Sequence, residues 1–152
     1  MLEVLNQRVE DVATINSKLI LLVGPPRSGK TRLLNALGEQ RQVGVINVGA
    51  ALGRLLLGIP GSRRHAHAVE FFKNVADANA VEGLVLLDNI ELLFDRSLRL
   101  NPLDLLKRQG HVRRVVAAWP GELSGSRLIY ATMGHPEYQD YGVDGLVLFK
   151  TN

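Results

Sequence analysis

Gly24-Pro25-Pro26-Arg27-Ser28-Gly29-Lys30-Thr31 decides the fold. The string satisfies G-x-x-x-x-G-K-[ST] at every specified position. An apolar run, Leu19 to Val23 (LILLV), leads in and reads as a buried strand, and a helical stretch (TRLLNALGEQ) leads out after Lys30. In that setting successive backbone N–H groups and the positive end of the helix converge on a phosphate. Gly24 and Gly29 permit turns and close approach that a Cβ would obstruct. Lys30 is expected to reach the outer phosphates of a nucleotide and Thr31 to offer its hydroxyl to Mg²⁺. Pro25, Pro26, Arg27, Ser28 and Arg32 complete the expected phosphate-binding segment. A dinucleotide site is the natural competitor, but the first turn lacks G-x-G-x-x-G.

Outward from this loop, the chemistry requires a second buried strand that ends in a carboxylate beside the metal. Leu84-Val85-Leu86-Leu87-Asp88 has that form, which makes Asp88 the expected Mg²⁺-side acid. The next residue is Asn89, where many ATP-hydrolysing proteins place a glutamate that orients the attacking water. Glu91 is the nearest replacement, and two readings of it stand. A tight turn after Asp88 would swing its carboxylate toward the γ-phosphate. Alternatively, Asp88-x-x-Glu91 before Leu92-Leu93-Phe94 has the spacing of a helix capping box.

The remaining pattern alternates strands with helices. Val43 to Val48, Arg127 to Ala131 and Leu146 to Phe149 read as further strands. Helices are expected over Val4 to Asn16, Leu52 to Leu57, Arg63 to Ala78 and Pro102 to Trp119. Continuous apolar strands separated by helices imply a three-layer α/β P-loop NTPase with a central, mainly parallel five-stranded sheet. On this reading Thr132, at the end of the fourth strand, lies near the γ-phosphate if that strand sits beside the first, and joins Lys30, Asp88 and Glu91 as a catalytic candidate. Asn47 is a candidate to contact a catalytic carboxylate; for both residues the alternative reading is an ordinary polar residue at a strand end.

At 152 residues the chain is expected to be one domain, 1–152, with 1–17 as an N-terminal helix and no room for a C-terminal helical lid. Its 46% hydrophobic and 22% charged residues are those of a folded chain, and the absence of cysteine removes disulfides and thiolate metal sites. No apolar run approaches the ~18 residues of a membrane span, and the N-terminus lacks the order of a signal peptide. A soluble cytoplasmic protein is expected. The net charge of +3 is small, but Arg96, Arg99, Lys107, Arg108, Arg113 and Arg114 face Asp104 alone in one stretch. That run is either a solvated helix face or a surface for DNA or an acidic partner.

Absences narrow the chemistry further. No Asn-Lys-x-Asp guanine-reading string occurs, so ATP is the expected nucleotide. The connection from Met133 to Asp144 offers no arginine to clamp a second phosphate, which counts against a small-molecule kinase. His65 and His67 are two apart on a predicted helix and make a poor metal pair.

GPPRSGKT, LVLLDNIELLF, VVAAWPGEL and RLIYATMGHPEY, in this order, resemble the BrxF family, the small P-loop proteins of type 3 bacteriophage exclusion (BREX) systems. The resemblance covers about Leu19 to Tyr141. Its phosphate loop is generic, and Trp119-Pro120-Gly121 and Gly134-His135-Pro136-Glu137-Tyr138 make it specific. It implies an AAA-like core, a role in phage defence with other BREX proteins or as a homo-oligomer, Thr132 at a nucleotide-sensing position and Asn47 as a switch for the catalytic glutamate. Arg113 and Arg114 are the candidates for an arginine finger if one exists, with solvated helix termini as the alternative reading, and Gly134 to Tyr138 is a nucleotide-facing or partner-docking loop.

Overall fold

A computed structural model describes residues 1–151 of the chain; Asn152, part of the expected 1–152 domain, lies outside the described residues. Five parallel strands form the central sheet: β1 (Leu19–Val23), β2 (Val45–Asn47), β3 (Leu84–Asp88), β4 (Arg114–Ala118) and β8 (Val147–Lys150), in the order β2-β3-β4-β1-β8. Helices α1 (Leu2–Asp11) and α2 (Lys30–Arg41) cover one face. Helices α3 (Val48–Leu56), α4 (Arg64–Asn79) and α5 (Pro102–Val112) cover the other.

Alternation in β1 explains its unbroken apolar run. Leu19, Leu21 and Val23 enter the core beneath α3, α4 and α5, whereas Ile20 and Leu22 enter the core beneath α1 and α2. No helix among the described residues is long and apolar enough to cross a membrane.

The five-strand expectation holds, but one strand is a different segment. The expected helix Pro102 to Trp119 ends at Val112; Arg113 is extended, and Arg114–Ala118 becomes β4, between β3 and β1 in the middle of the sheet. The register pairs Val115 with Leu19 and with Val85, so its β-branched side chains complete both apolar layers. Gly110, inside α5, permits the close approach of that helix to β1. A Cβ there would stand 3.0 Å from that of Leu19, and its carbonyl accepts from the Lys18 amide at 2.8 Å.

Arg127 to Ala131 does contain a strand, β6 (Arg127–Tyr130), but it lies in a separate antiparallel sheet between β5 (Glu122–Ser124) and β7 (Gln139–Gly142). Leu128 is buried in the same core as α3, α4 and α5, with Leu123, Tyr130 and Tyr141 against it. The small sheet therefore caps one side of the main sheet.

Candidate functional site

Parallel strands deliver their C-terminal ends to one edge of the sheet, and the loops leaving β1, β3 and β4 meet there. The loop after β1 holds its shape by local strain and one distant contact. Arg27 (φ 64°) and Gly29 (φ 100°) are left-handed, and the Ser28 amide donates to the Pro25 carbonyl at 3.1 Å. Gly29 is the N-cap of α2 and no side chain caps that end, so the first amides of α2 are available to an anion.

Lys30, Thr31, Asp88 and Glu91 line one cleft of about 310 Å³, with Pro26, Asn89, Ala118, Trp119 and Pro120 completing it. The Thr31 hydroxyl donates to Asp88 Oδ2 at 2.8 Å. Lys30 Nζ donates to the carbonyls of Gly24 and Trp119, both at 2.9 Å. Burial pushes the Lys30 ammonium below its ordinary range, opposed by the charges of Glu91 and Asp88. A hydroxyl and a carboxylate side by side are hard oxygen donors, and no group of three metal-ligating side chains exists among the described residues. This donor set suits Mg²⁺ carried in with phosphates. Gly24, Pro25 and Ser28 lie in the loop itself, while Arg32 is exposed on the first turn of α2.

The backbone after Asp88 makes the tight turn. Asn89 is left-handed (φ 52°), its amide donates to Asp88 Oδ1 at 3.0 Å, and a 3-10 turn runs from Ile90 to Phe94. The capping box does not form, because Asp88 bonds the adjacent amide rather than that of Glu91. Glu91 instead sits in the cleft wall.

Other expectations change with the strand assignment. Thr132 follows a strand that pairs only within the small sheet, so the reason for placing it beside β1 and the γ-phosphate is gone; the segment in that place is Trp119-Pro120. Asn47 Oδ1 accepts from the Ala50 amide at 3.0 Å as the cap of α3. Arg113 is paired with Asp77 and the Ala76 carbonyl, and Arg114 with Glu10 and the Glu82 carbonyl. Both lie at the start of β4, the sheet edge away from the phosphate loop, with side chains only 13% and 17% exposed, so neither projects as a finger. The Gly134 to Tyr138 loop joins β6 to β7 and is not among the cleft residues.

Two residues have structural roles that no local pattern in the sequence assigns. Thr151, just after β8, is buried; its hydroxyl lies 2.7 Å from that of Ser28, and its amide donates to the Val23 carbonyl at 2.9 Å. A Cβ on Gly24 would approach Thr151 Oγ1 to 2.5 Å, so the first glycine of the motif is required by this contact. Trp119 is the second. Its indole donates to the Ile129 carbonyl at 3.1 Å, and its ring meets Phe94 and Tyr141 edge-on at 5.4 and 6.0 Å. The signal for Trp119 was the β-branched pair Val115-Val116 just before it; Thr151 gave none.

Tyr130 stacks on Phe94 at 3.7 Å, and burial, with Glu137 and Glu91 behind it, raises its phenol above the ordinary 10.0; burial raises Tyr141 likewise. A phenol held protonated by the fold contributes stability that is whole below pH 10.0 and is lost as pH rises through its folded value. Melting temperatures followed above pH 10 are expected to fall, and Tyr130→Phe with Tyr141→Phe to flatten that fall.

No protein-family model matches the chain, and no curated protein sequence matches it. Among solved structures, that of C. elegans PCH-2 superposes with a TM-score of 0.51 at 16% identity, over 99% of this chain and 41% of that one. The replication initiator DnaA bound to AMPPCP and single-stranded DNA gives 0.51 at 15% identity, over 98% of this chain and 46% of that one. The chain thus spans less than half the length of either. Strand order, phosphate loop and these superpositions agree that the chain folds as an α/β P-loop NTPase domain with an AAA-like core.

Proposed function

We propose that this chain is a cytoplasmic ATP-binding protein that takes ATP with Mg²⁺ and acts as an ATPase or ATP-dependent assembly switch within a bacterial anti-phage complex of the BREX type. The convergence of Lys30, Thr31, Asp88 and Glu91 on one cleft carries the nucleotide reading. The DnaA structure, of the same fold, holds AMPPCP. The BREX assignment is supported by the sequence strings around Trp119 and Gly134, and its partners are other BREX proteins or further copies of this chain.

Each residue then has a task. The amides of Gly29, Lys30 and Thr31 receive phosphate oxygens, with Gly24 to Ser28 wrapping them and Arg32 at the outer side. Thr31 and Asp88 would hold Mg²⁺, which would neutralise phosphate charge. Lys30 leaves the Trp119 carbonyl for the outer phosphates. Glu91, brought into the cleft by the left-handed Asn89, orients the attacking water.

Light scattering with ATP, ADP and no nucleotide, with phosphate release followed in the same samples, tests this. The mass is expected to rise with ATP and return as phosphate appears. Glu91→Gln is expected to assemble normally and release phosphate at least about 100-fold more slowly. Release at the wild-type rate from Glu91→Gln removes Glu91 from the mechanism. Asn89, in place of an adjacent glutamate, favours a second reading, a nucleotide-stabilised adaptor for DNA or proteins. A nucleotide-bound species of unchanged mass and no turnover selects it.

A further inference from the structure

The structure divides the basic stretch from Arg96 to Arg114. Arg113 and Arg114 are tied to Asp77 and Glu10, and Arg108 to Asp104 at 2.9 Å. Arg96 and Arg99 are exposed and have no carboxylate partner among the described residues. They lie three apart, at the start of a 3-10 turn and at its left-handed C-cap, and both line one cleft. Asp95 is occupied in capping that turn, accepting from the Ser97 amide and hydroxyl at 2.9 and 2.7 Å, and Arg99 closes it in a left-handed conformation (φ 54°).

Opposite them stands the beginning of α4. Gly61, Ser62 and His65 complete, with Arg96, Ser97 and Arg99, an open cleft of about 480 Å³. No acidic residue occupies the first turn of α4 and no side chain caps it. Arg64 Nε donates to the Leu56 and Ile59 carbonyls, both at 3.0 Å, and pins the preceding loop in place. The cleft shares no wall residue with the phosphate loop.

From this geometry we infer that the cleft is a second anion site, and that its ligand is the phosphate backbone of a nucleic-acid strand. Two guanidinium groups without carboxylate partners, an imidazole and a serine hydroxyl line it, and guanidinium groups match phosphate bidentately. An open, solvated cleft gives a lone anion little. A polymer that threads it releases counterions from several phosphates at once. The inference shares only its ligand class with the adaptor reading, and holds whether or not ATP is hydrolysed.

Fluorescence anisotropy of labelled DNA of about 20 nucleotides, single- and double-stranded, over a salt series tests it. Wild type is expected to bind, and Arg96→Ala/Arg99→Ala to lose at least about tenfold in affinity, with the slope against log salt falling by about 1.4 on a single strand. Arg108→Ala is expected to bind within about twofold of wild type, since it lies outside the cleft. Arg96→Gln/Arg99→Gln, which keeps the aliphatic stems, repeats the test should the alanine pair not fold. The thermal shift with Mg-ATP is expected to survive in every variant, which separates this site from the nucleotide reading. Absence of salt-dependent DNA binding in wild type, or an equal loss in Arg108→Ala, overturns the inference. So does saturable binding of inorganic phosphate, removed by the double variant, without binding of DNA.

Discussion

Lys30→Ala abolishes the rise in melting temperature that Mg-ATP gives the wild-type protein. A ligand at 100 times its dissociation constant stabilises the folded state by about 2.7 kcal/mol, roughly 5 to 10 °C for a domain of this length. The whole shift is at stake, because Lys30 is the one cationic side chain lining the cleft among the described residues. In the nucleotide-free protein the same substitution acts in two opposed ways. It removes the bonds to the Gly24 and Trp119 carbonyls. It also removes an ammonium whose partial burial lowers its proton affinity below the ordinary 10.5. Between that lowered value and 10.5 the unfolded chain binds more protons than the folded one, so the Lys30 contribution to stability rises with pH there. Scanning fluorimetry on both proteins, with and without Mg-ATP, reads each effect. A full shift in Lys30→Ala removes Lys30 from the site.

Legibility in the sequence followed the range of the forces involved. β1, the phosphate loop and β3 were readable because each is a short apolar run with its punctuation beside it, glycine and proline after Val23 and a lone acid after Leu87. The stretch from Pro102 to Trp119 was not. Nothing between Val112 and Arg114 breaks a helix, and only the register of Val115 against Leu19 and Val85, residues distant in the chain, makes a strand there the better burial. Arg127 to Ala131 has equal strand character and took the vacant place in the reading. Thr132 therefore does not line the cleft, and Arg113 and Arg114 stand where α5 gives way to β4. The Ser28–Thr151 contact spans 123 positions, and no local pattern announces it. Glu91 was legible as far as its two alternatives, which the left-handed turn at Asn89 separates.

Gly121→Ala is the largest structural effect expected from a single methyl group in this chain. A Cβ at Gly121 falls on the Ile129 carbonyl and 2.9 Å from Trp119 Nε1, the two ends of one hydrogen bond. Backbone forms one side of the clash, so relief requires β6 to move off β4's continuation. The indole then loses its acceptor in a fully buried position, at about 1 to 3 kcal/mol, before any loss of packing against Phe94 and Tyr141 is counted. The sum is expected to exceed about 3 kcal/mol. Gly44→Ala is the control, since a Cβ there meets nothing within 4 Å, and it is expected to lie within about 0.5 kcal/mol of wild type. Trp119 is the only tryptophan, so its emission reports the site directly during urea unfolding. A red-shifted native spectrum and an early midpoint are expected for Gly121→Ala alone. Because Trp119 and Pro120 also form the cleft wall beside Lys30 and Thr31, the same variant is expected to weaken the Mg-ATP shift, tying the small sheet to the phosphate cleft. A midpoint equal to that of Gly44→Ala would mean that β6 does not dock on Trp119 as described.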